Sequence, residues 1–269
     1  MKTTIGYLGS ILIITLLISC TSTAEKKAEV DFARVEKLIT NHELSNAMEF
    51  LDSIMVWNKD NYGIVGKALK RKNAIALDYH KGIIEMSQSR IQALDPQVAA
   101  LSKGFIFKPG EAGLPGTYEH KRQTVESSWN RTFLKVGLNE HGDVWLVSHY
   151  YGTEWIDHTS LRIYDNDNYI LTDTIGLGHE WNRKVEDMGD RWETIEFRDG
   201  SDAGALAFIA ENYKKPIKVR LTGKKFQYIV LENYDKEAIK NGMELAQVLK
   251  ERYGLQQTIE LHQAELRKL

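Results

Sequence analysis

The sequence has one cysteine, Cys20, in 269 residues. No intrachain disulfide can form, so the fold must be held by packing. Four prolines exclude collagen-like repeats and proline-rich spacers. Charge of one sign is also lacking, because 35 Lys and Arg against 37 Asp and Glu leave −2. The chain as a whole therefore carries no basic field that would draw it to nucleic acid. The most apolar stretch, residues 5–18, falls short of the roughly 20 residues that a membrane-spanning helix needs. Also missing are a Gly-rich phosphate loop, a Gly-x-Ser-x-Gly elbow, a His-Glu-x-x-His helix and any paired-cysteine spacing. No cofactor and no metal are expected on those grounds. What remains, 42% hydrophobic and 27% charged residues, describes an ordinary folded protein of one or two domains.

Lys2 precedes the apolar stretch, which closes on Leu17, Ile18, Ser19 and Cys20. A positive start, a short apolar core and a small residue before the break describe a secretory signal. The run Leu17, Ile18, Ser19, Cys20 resembles the lipobox of bacterial lipoproteins. The resemblance covers only the first twenty residues. It implies that residues 1–19 are a signal peptide that is removed, that the Cys20 thiol takes a diacylglycerol, and that the new N-terminus gains a further acyl chain of the palmitate kind. Several chains on one residue anchor far better than one. The resemblance further implies a lipid-anchored protein of the cell envelope. Thr21 stands where an Asp would favour the inner membrane, which directs the expectation to the outer membrane.

Residues 20–29 are small or charged without apolar pattern and read as a tether. Over 30–103 apolar residues recur at helical spacing. Phe32, Val35 and Ile39 make one stripe, and Met48, Leu51 and Met55 a second, with Ser45 as the expected N-cap between them. A third stripe carries Val65, Leu69, Ala76, Tyr79, Ile83 and Met86, interrupted by Lys70, Arg71 and Lys72. The first pair resembles a single tetratricopeptide hairpin, but no period of about 34 residues follows. A bundle packed on the next domain is the reading taken over a peptide-binding array. Residues 104–116, rich in Gly and Pro, read as a linker or a long ordered loop.

Beyond the linker, over 117–269, the period drops to two. Strands are expected over 132–139, 144–152, 158–164, 169–175 and 191–198. A turn at Asn166 and Asp167 would oppose Tyr164 to Tyr169 and Ile163 to Ile170. A two-residue turn at Gly223 and Lys224 would pair Leu221 with Phe226, Val219 with Tyr228 and Ile217 with Val230, all on one face. A short helix over 203–213, a helix capped by Asp235 and ended by Gly254, and a last helix over 255–269 complete the pattern. The expected fold class is α+β: an N-terminal helical hairpin or bundle, then an antiparallel-sheet domain with C-terminal helices.

Chemistry is sparse. His149, Glu154, Asp157 and His158 lie within ten residues and could run acid/base hydrolysis or hold a metal. The same residues also read as a strand end, a turn and a strand start, where polar side chains collect anyway. Asp165, Asn166, Asp167 and Asn168 resemble the opening of a calcium loop, but Ile170 and Gly176 stand where Gly and Glu are needed. Five of six tryptophans fall within 129–192. Trp155, Trp181 and Tyr151 are the candidate rings for stacking on a peptide or glycan, unless they fill a core. Residues 140–202 hold 15 acidic and 5 basic side chains, whereas 214–225 hold six basic residues and no acid. The two regions are expected to neutralise each other, the alternative being a cationic patch for lipid headgroups or lipopolysaccharide. The leading expectation is a non-enzymatic binding or interaction module, tied to a membrane by its lipid, whose partner is an envelope protein, peptide or glycan and not nucleic acid. A hydrolase of an envelope polymer, working through the carboxylate and histidine cluster, is the alternative.

Overall fold

The computed structural model describes residues 23–269, so the lipobox and Cys20 lie outside the described residues. The described residues form two compact units, 23–81 with Leu266–Leu269, and Gly82–Glu265. In the first, α1 (Thr23–Thr40) opens within the stretch read as a tether, followed by α2 (Leu44–Trp57) and the first half of α3 (Tyr62–Leu101). Phe32 and Val35, Ala47, Leu51 and Ile54, and Ile64, Ala68 and Ile75 form one core, each group at the three- and four-residue steps that line one helix face. The N-cap is Glu43 and not Ser45, and its carboxylate accepts the side-chain amides of Asn41 and Asn46. The third stripe is rotated from the expected one. Leu69, Tyr79 and Met86 are exposed, while Ile64, Ala68 and Ile75 face the core of the first unit and Arg71 and Lys72 reach Glu36 and Asp52.

The second unit has the expected α+β class. One antiparallel sheet runs in the order β1-β2-β3-β4-β8-β7. Its strands are β1 (Phe105–Lys108), β2 (Thr117–His120), β3 (Phe133–Asn139), β4 (Val144–Gly152), β7 (Asn182–Asp187) and β8 (Asp190–Phe197). The other runs β10-β9-β5-β6, from β5 (Ser160–Tyr164), β6 (Tyr169–Leu171), β9 (Lys218–Thr222) and β10 (Phe226–Val230). Strand β1 lies within the Gly- and Pro-rich stretch. Leu134, Leu146 and Ile195 of the first sheet share a core with Ile163, Val219 and Leu221 of the second. Ile209 of α5 (Ala205–Glu211) and Ile239 of α6 (Asn233–Leu266) join the same core. A single-turn helix, α4 (Val125–Ser128), lies between β2 and β3.

The β5–β6 hairpin has the expected register, Tyr164 opposite Tyr169 and Ile163 opposite Ile170. Asp165 holds its turn by accepting the amides of Asp167 and Asn168. The β9–β10 hairpin departs by one residue: Phe226 opposes Thr222, Tyr228 opposes Arg220, and Ile229 opposes Val219. A one-residue slip exchanges faces, so Phe226, Tyr228 and Val230 point to water while Ile229 packs on the core. The cause is Gly223. Its φ is not positive, as a two-residue turn would require; a Cβ there would instead strike the carbonyls of Ile156 and Asp157, so the loop packs tightly beneath that segment. Gly254 does not end the last helix either. α6 runs unbroken through it, and with nothing near its Cα the residue only loses the packing a side chain would add.

Candidate functional site

On the first sheet, alternation sorts each strand into two faces. Leu146, Ser148 and Tyr150 of β4 point into the core, and Val147, His149 and Tyr151 point outward. On β8, Glu193, Ile195 and Phe197 point inward while Trp192 and Thr194 point outward. The outward rows align Phe133, His149, Thr194 and Arg183 across four strands, and Tyr151, Trp192 and Val185 across three.

The connection from β2 to β3 flanks a cavity of about 280 Å³ on this outer face, lined by Trp129, Phe133, Val147, His149, Val185 and Trp192 among others. Trp129 and Trp192 lie with ring centroids 4.4 Å apart, and the Trp192 indole donates to the Trp129 carbonyl at 2.8 Å. Tyr151 continues the cluster, its ring 5.7 Å from Trp192 and its hydroxyl donating to Asp190. Gln123, fully buried in the cavity wall, donates to the Leu134 carbonyl and to Asp235, which leaves its Oε1 without a partner. His149 Nδ1 lies 3.2 Å from the Thr194 hydroxyl. Burial first, then the charges of Lys135 and Arg131, push the His149 ring down to about 4. At neutral pH it is an uncharged hydrogen-bonding group and a weak base.

The four residues of the carboxylate and histidine cluster have separate surroundings. His149 lines the cavity. Glu154 is exposed and pairs with Lys225. Asp157, at a positive φ of 52°, is held between Lys184 and Lys224. His158 is buried on the other side of the sheet. Its Nδ1 lies 2.6 Å from Glu193 Oε2, and its Nε2 lies 3.1 Å from Ser148 Oγ. Because a carboxylate only accepts, Nδ1 carries the proton. Glu193 also accepts the backbone amides of Ile156, Asp157 and His158. Burial raises the Glu193 carboxyl, but the His158 ring and these amides outweigh it and hold it below the usual range.

Serine, imidazole and carboxylate in series have the connectivity of a nucleophilic relay. Here all three side chains have 0% exposure. No substrate carbonyl can reach Ser148 in this arrangement. The relay instead ties residues 156–158 to β4 and β8.

The stacking candidates are not gathered either. Trp155 lies under Lys184 and Arg191, at 4.8 and 5.4 Å from its ring. Trp181 meets His179 edge-on and packs against the core. Only Tyr151 adjoins the cavity's aromatic cluster. Trp129, Phe133, Val147 and Trp192 were not singled out as a site from the sequence, although the alternation of β4 and β8 already sets Tyr151 and Trp192 on facing rows. A further signal was Glu193, a carboxylate in the inward row with Ile195 and Phe197. Among the described residues, no group of three or more His, Cys, Asp or Glu could hold a metal ion. No protein-family model, curated protein or solved structure matches this chain.

Proposed function

We propose that this chain is a lipid-anchored protein of the bacterial envelope, held by Cys20 at the outer membrane, that binds a partner through the cavity on its first sheet. The observation that carries the binding reading is the cavity's wall. Two tryptophans, a phenylalanine and three valines supply apolar surface, and the titrating ring among them, His149, is kept neutral. Such a site favours apolar contact over proton transfer. About 280 Å³ suits one aromatic side chain, such as a phenol or an indole. A peptide segment of another envelope protein has this chemistry.

The test uses the full chain in non-ionic detergent, titrated with tyrosine- and tryptophan-containing tripeptides and, in parallel, with peptidoglycan fragments. Saturable shifts of the Trp129 and Trp192 indole signals in NMR spectra, abolished by Trp192→Ala and unaffected by Trp155→Ala, support the reading. Binding that survives Trp192→Ala, or product release that disappears in Glu154→Gln, overturns it. The anchor is tested separately. Cys20→Ala should abolish fatty-acid labelling and release the chain from membranes, and a variant that stays labelled refutes the anchor.

A further inference from the structure

The outward face of the second sheet presents cations with no acid beside them. One row across β10, β9, β5 and β6 reads Tyr228, Arg220, Arg162 and Leu171. The flanking rows add Phe226 and Thr222 on one side, and Lys218, Tyr164 and Tyr169 on the other. No Asp or Glu occupies an outward position on any of these four strands. Arg162 and Arg220 therefore stand directly opposite each other on neighbouring strands, a like-charge pair that weakens a sheet.

The fold does not relieve this pair. Lys215, Lys224 and Lys225 are engaged by Asp165, Asp157 and Glu154. Arg162, Arg220 and Lys218 form no ion pair among the described residues; Arg220 Nε donates to the Thr222 hydroxyl at 3.3 Å, and Arg162 Nε is buried without a partner, so it is the terminal nitrogens that remain for a ligand. The guanidiniums lie over rings instead. Arg162 is 4.5 Å from Tyr169 and 5.5 Å from Tyr164, and Arg220 is 5.0 Å from Phe226. A guanidinium stacked on a ring keeps its N–H edge available for a planar oxyanion. Phe226, Tyr228 and Tyr169 are each more than half exposed, which leaves large flat surfaces in water beside those edges.

We infer that this face binds an acidic glycan. Its carboxylates would be taken between Arg162 and Arg220, and the C–H faces of its sugar rings would lie on Phe226, Tyr228 and Tyr169. Charge complementarity calls for an anion, and the interleaved rings call for one with apolar faces of its own. Nucleic acid would call for a broader basic field than three cations on a chain of net charge −2. This surface is separate from the cavity on the first sheet, and either can fail without the other.

The test is affinity electrophoresis of the full chain in non-ionic detergent, at low salt, through gels holding polygalacturonate, with neutral dextran as control. Polygalacturonate should retard the chain and dextran should not. Arg162→Gln with Arg220→Gln should weaken retention by about tenfold, and Tyr228→Ala should weaken it severalfold. The double glutamine variant should melt no lower than the parent, since it removes a repulsion. If it does melt lower, the outward Lys218→Gln replaces it and must weaken retention without changing the melting temperature. Absence of retardation overturns the proposal, as does equal retention of the glutamine variants. Tighter binding to a single-stranded oligonucleotide or to polyglutamate also overturns it, as does binding of the Cys20→Ala chain, without detergent, to phosphatidylglycerol but not phosphatidylcholine vesicles; these outcomes assign the face to nucleic acid, acidic peptide or membrane.

Discussion

Replacing Glu193 by glutamine keeps its shape and removes one acceptor from a fully buried site. Oε1 holds the amides of Ile156 and Asp157 at 2.9 and 2.8 Å, and Oε2 holds the amide and ring nitrogen of His158 at 2.9 and 2.6 Å. Glutamine can offer its oxygen to one pair only, and its NH2 group then faces donors on the other. His158 can answer by changing tautomer, which leaves its backbone amide unmet. An unmet buried donor costs about 1–3 kcal/mol, and the lost charge-assisted bonds add to it. The expected loss is about 2–4 kcal/mol, in the upper part of the range for point mutants. At about 2–4 °C per kcal/mol, the melting temperature should fall by about 5–15 °C. Glu193→Ala, which abandons every one of these donors, should be worse. Thermal and urea unfolding followed by tryptophan fluorescence measures both. A loss below about 1 kcal/mol for Glu193→Gln would refute the reasoning, because the carboxylate would then not be what holds residues 156–158.

Gly223→Ala should destabilise the second unit by about 1–3 kcal/mol in urea unfolding, since its Cβ would strike the carbonyls of Ile156 and Asp157; an unchanged midpoint would place that loop elsewhere. Asp235→Asn removes the partner that Arg131 grips with both terminal nitrogens, so a loss of about 3 kcal/mol is expected, and a neutral result counts against a structural pair. His149 is depressed in the folded state, so the unfolded chain binds its proton more tightly. Its contribution is complete above the ordinary value of 6.5 and is lost as pH falls through about 4, at about 1.4 kcal/mol per unit between them. Unfolding midpoints taken from pH 7 to 4.5 should therefore slope downward in the parent and less steeply in His149→Gln; parallel slopes would show that the ring is not buried as described.

Period-two alternation was enough to place β3, β4 and β8 to within about a residue, because each packs one face on a core and leaves the other outward. It missed β7, exposed on both faces beyond Asn182, and the four-residue strands β1, among Gly and Pro, and β2. The expected face of β10 failed for a related reason. Phe226, Tyr228 and Val230 look like a core row, but register depends on where the loop is pinned, and that is decided by residues 156–157, distant in sequence. Of the six basic residues in 214–225, Lys215, Lys224 and Lys225 do meet acids of the 140–202 region, as composition suggested, whereas Lys218 and Arg220 do not.

The amino-acid order by itself determined the helix-then-sheet layout and the antiparallel hairpins, because these follow from the spacing of apolar residues along a few turns or strands. The lipobox resemblance likewise rests on neighbouring residues alone. Only the tertiary structure decided that His149 and His158, nine positions apart, lie on opposite sides of one sheet, the first beside a cavity and the second fully buried. It also brought Glu193 to His158, Trp129 to Trp192 and Arg162 to Arg220. Such pairs form between strands and loops far apart in the chain, where register and packing decide which side chains meet.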